Sequence, residues 1–379
     1  LLPLWYFWLL PSSGYYNTFL INKMIPKNNF FLSLKEKFNW EFWPTYMFYI
    51  PLFPLYVYYA IRSGSFAYFT ATNPAIKNGG DATESKFDTL KILPKSLIPT
   101  SIFIPKETTI TTVINDLEKH QLRYPLIIKP DIGYRGLLVK KLNNLADLQN
   151  YLKKYTSIDL IIQDFVSYPN ECGILYVRFP DKKTGTITSI TLKDYLHVKG
   201  DGTSCVSDLI TNNVHVLRYE PIFKDLITNK LDYKPKNGEA FVLNEIGNHC
   251  KGASFINGNH LINDKLTQTF DALSQKVSGV NFGRFDIKYN SISALEEGEN
   301  FKIIELNGVI AEPTHIYDAE KSSYFIALKS LALHWKYVYQ IAKMNHKKFG
   351  VKYQKIQPVL KDLFALRPYN RKIKSLSEL

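Results

Sequence analysis

From residue 63 onward, apolar positions alternate with a period of two in some stretches and recur every three or four residues in others. That mixture predicts strands and amphipathic helices in one chain, an α/β (α+β) fold. Strands are expected over 65–71, 124–130, 160–166, 174–180, 186–195, 282–290 and 301–308, with 136–142 as the hairpin partner of 124–130. Helices are expected over 85–94, 145–155, 267–279 and 324–345, and a Pro/Gly-punctuated loop over 72–80.

Ahead of this lies a different pattern. Residues 42–61 carry no charge, nearly the ~20 residues that a membrane-spanning helix needs. Pro44, Pro51 and Pro54 interrupt the run, and its aromatic side chains favour a membrane–water interface over the hydrocarbon core. Three readings stand: a buried packing helix, an interfacial segment and a true span. Residue 1 is Leu and the first Met is Met24. Residues 1–23 lack the basic start and small-residue cleavage site of a signal peptide, and read either as native chain or as upstream sequence.

Composition narrows the class. The 24 Phe, 25 Tyr and 5 Trp among 379 residues are too many for a disordered chain. Cys172, Cys205 and Cys250 are widely spaced, which excludes a disulfide scaffold and a Cys-rich zinc site and suits a reducing, cytoplasmic setting. The net charge is +13, and residues 341–379, with ten Lys/Arg against two Asp/Glu, supply +8 of it. No nucleic-acid-binding motif accompanies that charge, so no nucleic-acid partner is expected. The basic tail and the aromatic run leave open a peripheral contact at the inner membrane face. The oligomeric state is not legible.

Three stretches carry candidate chemistry. Side chains two apart on a strand share a face, so FGRFDIKYN pairs Arg284 with Asp286, and FKIIELNG pairs Glu305 with Asn307. If these strands are neighbours, hard oxygen donors of the type Mg²⁺ accepts converge beside a guanidinium. IIKPDIGYRG ends a buried strand in Lys129 and continues into a loop holding Gly133, Arg135 and Gly136, where backbone N–H groups can approach a phosphate. LIIQDFVSYPNE runs an apolar strand into Gln163, Asp164, Phe165 and Val166 and then to Glu171, a hinge suited to a purine edge and a ribose. Each stretch taken singly also fits an ordinary strand and its exit loop.

In this order the three resemble the ATP-grasp superfamily, most closely its carboxylate–amine ligases such as D-alanine–D-alanine ligase. The resemblance covers roughly residues 80–345. It implies ATP and one or two Mg²⁺ ions, with Mn²⁺ as an alternative. It places Lys86, Lys129, Gly133, Arg135, Gly136, Gln163, Asp164, Phe165, Val166 and Glu171 around ATP, and Asp286, Glu305 and Asn307 around the metal. Arg284 is then the candidate for stabilising an acyl phosphate, and Lys193 a further catalytic phosphate contact. GDGTSCVSDLI (200–210) and EIGNHCKGASF (245–255) resemble segments of cyanophycin and glutathione synthetases, which makes Asn248, His249, Lys251 and Gly252 candidate substrate contacts.

The implied organisation is an aromatic segment over 1–62, a reduced pre-ATP-grasp region over 63–105, a lid over 106–166, a catalytic subdomain over 167–345 and a basic tail over 346–379. The implied reaction joins a small carboxylate to an amine through an acyl phosphate. The alternatives are a kinase acting on a small-molecule hydroxyl and a non-catalytic nucleotide-binding protein at a membrane.

Overall fold

The structure is a computed structural model that describes residue 43 and residues 45–133, 136–217, 219–318 and 320–377. Of the sites named above, Arg135 lies outside the described residues, as do residues 1–42 and Pro44.

The uncharged run folds as two short helices, α1 (Thr45–Tyr49) and α2 (Phe53–Ser63), joined by a 3₁₀ turn. Pro51 and Pro54 fall in first turns, where a missing N–H breaks no helical bond. Gly64, at φ 70°, ends α2 in the left-handed region. The aromatic face is a packing face: Tyr59 stacks on Tyr339 with centroids 4.4 Å apart, and Tyr49 on Trp335 at 6.1 Å. No helix of the described residues is long and apolar enough to cross a membrane. Residues 65–71 do not form the expected strand. Tyr68–Ala71 is a 3₁₀ helix with all four side chains buried, because core surrounds this segment on every side and its alternation marks no exposed face.

A short helix follows, α3 (Lys86–Lys91), capped by the Ser85 hydroxyl accepting from Asp88 N–H at 3.1 Å. Then come β1 (Ser101–Ile104), α4 (Ile110–Lys119), β2 (Leu126–Pro130), β3 (Lys140–Leu142), α5 (Leu145–Tyr155) and β4 (Leu160–Asp164). The four strands form an antiparallel sheet in the order β1-β4-β2-β3, with Lys129 opposite Ile161. α4 and α5 close the core of this sheet with Val113, Leu117, Leu148, Tyr151 and Leu152.

The second unit contains β5 (Asn170–Val177), β6 (Thr186–Asp194), β7 (Leu196–Lys199), three short helices α6 (Val206–Thr211), α7 (Val214–Leu217) and α8 (Glu220–Ile227), β8 (Ala240–Asn244), β9 (Ser254–Asn257), α9 (Asp264–Gln275), β10 (Phe282–Tyr289), α10 (Ile292–Glu296) and β11 (Phe301–Asn307). Its main sheet is antiparallel in the order β11-β10-β5-β6-β9, while β7 and β8 pair separately and share a small core with α6–α8. Period-2 alternation splits the main sheet cleanly. Ile174, Tyr176, Phe285 and Ile287 face a core with α9, while Leu175, Val177 and Phe282 face a core with α2.

Two long helices finish the chain: α11 (Tyr324–Phe349) and α12 (Ile356–Ser377). α12 lies in the stretch that sequence presents as a basic tail, yet it is structural. Val359, Leu363 and Leu366 join the core beside α2, and Ile373 joins the core of the four-stranded sheet, so one helix ties both units together.

Two histidines are buried under the main sheet. His315 Nδ1 shares a 2.7 Å hydrogen bond with Ser189 Oγ, and His334 bonds Thr188 and Ser330. Burial and the neighbouring His334 bring His315 down to about 4, and burial also lowers His334. The unfolded chain therefore binds a proton near pH 6.5 that the folded chain refuses until about pH 4, so stability falls as pH falls through that window. His315 should cost about 2 kcal/mol at pH 5 relative to pH 7. The His315→Gln variant should lose correspondingly less stability between those pH values in paired urea titrations. Equal losses would rule out His315 as the titrating group.

Candidate active site

The two sheets face each other across a cleft of about 420 Å³, within the usual range of small-molecule sites. On the five-stranded side, strand register builds the site. β10 and β11 pair so that Asp286 opposes Glu305 and Arg284 opposes Asn307; β5 and β6 pair so that Glu171 opposes Lys193. All belong to the sheet face that is covered by α2 at Phe282 and Leu175 and opens into the cleft further along the strands. The side chains interlock: Lys193 Nζ lies 2.7 Å from Glu171 and 3.3 Å from Asp286, Arg284 Nε 3.3 Å from Asp286, and Asn307 Nδ2 donates to Asp286 at 3.1 Å. Gly173 sits beneath them, where a Cβ would come within 3.1 Å of both Arg284 and Asp286.

The other wall comes from the four-stranded sheet and α3. Lys129, at the end of β2, reaches across so that its ammonium donates to Ile304 O at 3.2 Å. Lys86, in the first turn of α3, pairs with Glu305. The loop after β2 makes room for it, since a Cβ at Gly133 would lie 2.8 Å from Lys86 Cε. Asp131 fastens that loop to α3 by accepting from Ser85 Oγ and Phe87 N–H, each at 2.9 Å. Gln163, Asp164, Phe165 and Val166 line the edge where the two sheets meet.

Charge and burial oppose each other here. Burial alone would raise Glu305, but Lys86, Lys129 and Arg284 bring it down to about 2. Burial alone would lower Lys193, yet Asp286 and Glu171 hold it above the ordinary lysine range. Lys86 is likewise raised against burial, chiefly by Glu305. For Lys129 burial prevails, helped by the like charge of Lys86, and its ammonium falls to about 8 despite Glu305. A wall of ammonium groups facing paired carboxylates can accept a polyanion together with a divalent cation.

Most sequence-derived candidates meet in this cleft. Lys86, Lys129, Gly133, Gly136, Gln163, Asp164, Phe165, Val166, Glu171, Lys193, Asn248, Arg284, Asp286, Glu305 and Asn307 all line it. His249, Lys251 and Gly252 do not. Asn248 caps the turn His249–Lys251 by accepting from Cys250 N–H, and Gly252, at φ 94°, closes it against Leu196. His249 stands behind Phe255, which does line the cleft. Sequence reasoning missed Glu84, Glu245 and Glu312, which lie on loops with no period to mark them, and Lys288, which the period-2 spacing of Arg284 and Asp286 could have found, since it follows them on the same face of β10. It also missed Gly247, where any Cβ would fall 2.6 Å from the Glu171 carboxylate.

Two α+β units, each built on an antiparallel sheet, clasp a cleft that gathers the early lysine, the KP-x-x-G lysine, the hinge, the R-x-D strand and the E-x-N strand. Such a clasp is the architecture that the resemblance to ATP-grasp enzymes implies. Solved structures similar to the chain include the VanG D-Ala:D-Ser ligase of Enterococcus faecalis, with 14% identity over 70% of this chain and 63% of that one and a TM-score of 0.40. The D-alanine–D-alanine ligase of Bacillus anthracis shows 13% identity over 73% and 72%, with a TM-score of 0.42. A bifunctional glutathione synthetase from Pasteurella multocida shows 16% identity over 68% of this chain and 36% of its own, with a TM-score of 0.35. The chain thus spans less than two thirds of the VanG ligase and little more than a third of the synthetase. No protein-family model and no curated protein matches it.

The cleft depends on its central cation. Lys193→Met leaves Glu171 and Asp286 buried without that ammonium, and should destabilise the protein by about 3–5 kcal/mol in urea unfolding. A loss below about 1 kcal/mol would show that Arg284 and Tyr195 suffice to hold the carboxylates.

Proposed function

We propose that this protein is an ATP- and Mg²⁺-dependent ligase joining a carboxylate to an amine through an acyl phosphate. The observation that carries the reading is the convergence of Lys86 and Lys129 from one wall on the Asp286–Glu305–Asn307 row of the other. Two carboxylates and an amide oxygen are hard donors that fit Mg²⁺ or Mn²⁺, with the rest of the coordination shell left to phosphate and water. In this reading the third donor is the Asn307 amide oxygen, whose Nδ2 donates to Asp286 at 3.1 Å. A metal held there supplies neutralisation of phosphate charge.

Lys86 and Lys129 take the phosphates of ATP, Lys86 exchanging its contact with Glu305 for a phosphate oxygen. Gln163 to Val166 receive the purine at the sheet junction, and Glu171, oriented by Lys193 and Tyr195, faces the ribose. The substrate carboxylate oxygen forms a bond to the γ-phosphorus as the bond to ADP breaks. Arg284, anchored through Asp286 and the Glu312 carbonyl, stabilises the negative charge of the acyl phosphate. The amine nitrogen then forms the C–N bond, the carbon–oxygen bond to phosphate breaks, phosphate leaves with the electron pair, and the nitrogen sheds a proton. Positioning and charge complementarity account for most of such catalysis.

ADP release screened over amino acids and small carboxylates, with and without an amine, tests the reading. ADP release that needs no amine and yields a phosphorylated alcohol would replace the ligase with a kinase. In the active combination, Asp286→Asn and Glu305→Gln should each lower turnover by about 100-fold or more while the fold survives. Lys129→Ala should weaken ATP binding about ten- to hundred-fold by calorimetry, the value of a hydrogen bond to a charged group. Unchanged ATP affinity would remove Lys129 from the phosphate site.

A further inference from the structure

Three carboxylates of the cleft, Glu84, Glu245 and Glu312, take no part in the chemistry above, and of these Glu84 feels the charge of Lys86 and Glu245 pairs with Lys141. Glu171, Glu245, Asp286 and Glu305 each meet a lysine or arginine. Glu312 also lines the cleft, but no cationic side chain pairs with it among the described residues. Among the described residues its carboxylate accepts a hydrogen bond from the Tyr317 hydroxyl, to Oε2 at 2.8 Å. Burial pushes its carboxyl up to about 7, as expected of an acid waiting for a counter-charge.

Its position is built rather than accidental. The loop that carries it starts at Gly308, where Val309 N–H and Ile310 N–H donate to Gly79 O and Gly80 O at 3.0 and 2.9 Å. Neither Gly80 nor Gly308 tolerates a Cβ, which would fall 2.6–2.7 Å from the other's Cα. Its own carbonyl accepts from Arg284 Nη1 at 3.1 Å, so Glu312 lies beside the guanidinium assigned to the acyl centre, across Arg284 from Asp286. Phe255 lines the same cleft; its ring lies 5.4 Å from that of His249, tilted by 36°, and His249 stacks on Tyr317 at 6.2 Å.

We propose that Glu312 is the anionic anchor of the amine subsite, binding the ammonium group of a primary amine whose carbon chain lies against Phe255. This rests on the ligase reading and narrows it: the acceptor enters as a cation beside Arg284, gives one proton to the Glu312 carboxylate to free its lone pair before attack and sheds a second once the C–N bond has formed, and neutral alcohols of the same shape are excluded for want of charge. A carboxylate withdrawn from water and left without a cationic partner favours such a cation, because a charge-assisted hydrogen bond strengthens where water is excluded.

Saturation-transfer NMR with n-propylammonium chloride and 1-propanol on the full chain tests it. Propylammonium should bind the wild type and 1-propanol should not; Glu312→Gln should weaken propylammonium at least ten-fold, and Glu312→Asp should restore most of it. Thermal melts that match the wild type exclude misfolding of the variants. Equal binding by wild type and Glu312→Gln, or none to the wild type, overturns the proposal. Trapping the acyl phosphate of the wild type with hydroxylamine over the carboxylate panel tests the ligase reading apart from Glu312. Hydroxamate with Glu312-independent propylammonium binding sinks only the subsite. Glu312-dependent binding with no hydroxamate sinks only the ligase.

Discussion

Carboxylates can be buried side by side in one cleft only if cations stand among them. Desolvating each charge costs several kcal/mol, and the attraction of well-placed partners offsets that cost only when the hydrogen bonds are also satisfied. The Glu171–Lys193–Asp286–Arg284 chain and the Lys86–Glu305 pair meet both conditions, which makes the charge pattern of the cleft interdependent. Lys86 comes from outside both sheets, so the closure of the molecule around the cleft and the ionisation of Glu305 are coupled.

Missing side chains set the spacing as much as present ones. Gly173 lets Arg284 and Asp286 lie flat on the sheet, Gly133 lets Lys86 pass, and Gly247 lets a loop close over Glu171. At Gly80 and Gly308 two backbones touch, locking the loop after β11 to the segment that leads into α3. Asn73, fully buried, stitches the same region by donating to Gly79 O and Phe282 O while accepting from the N–H groups of Asn281 and Phe282. These contacts hold the lysine-bearing and carboxylate-bearing elements at fixed distance, the condition for preorganised electrostatics.

The helices that close the molecule come from both ends of the described chain. α2 and α11 cover the main sheet where its face leaves the cleft, and α12 continues from that core to the core of the four-stranded sheet. The charge of α12 is carried on its solvated side: Lys372 donates to Ser157 O, and its apolar stripe of Val359, Leu363, Leu366 and Ile373 is buried.

Local sequence determined the strands that carry Arg284 with Asp286 and Glu305 with Asn307, because period-2 alternation is a property of neighbouring residues and survives any tertiary arrangement. It determined Lys129 at the end of a buried strand for the same reason, and the order of these segments carried the resemblance from which two clasping α+β units were expected. Periodicity reports burial on one side only, so it misread residues 65–71, which are covered all round, and it gave no sign that Tyr49 and Tyr59 stack on Trp335 and Tyr339 of α11. Tertiary structure alone decided that β10 lies between β11 and β5, which brings Glu171 and Lys193 to Asp286 across more than 90 residues of chain. It alone set Glu312 beside Arg284, since a loop residue has no period to reveal its direction and its surroundings are chosen by elements far away in sequence.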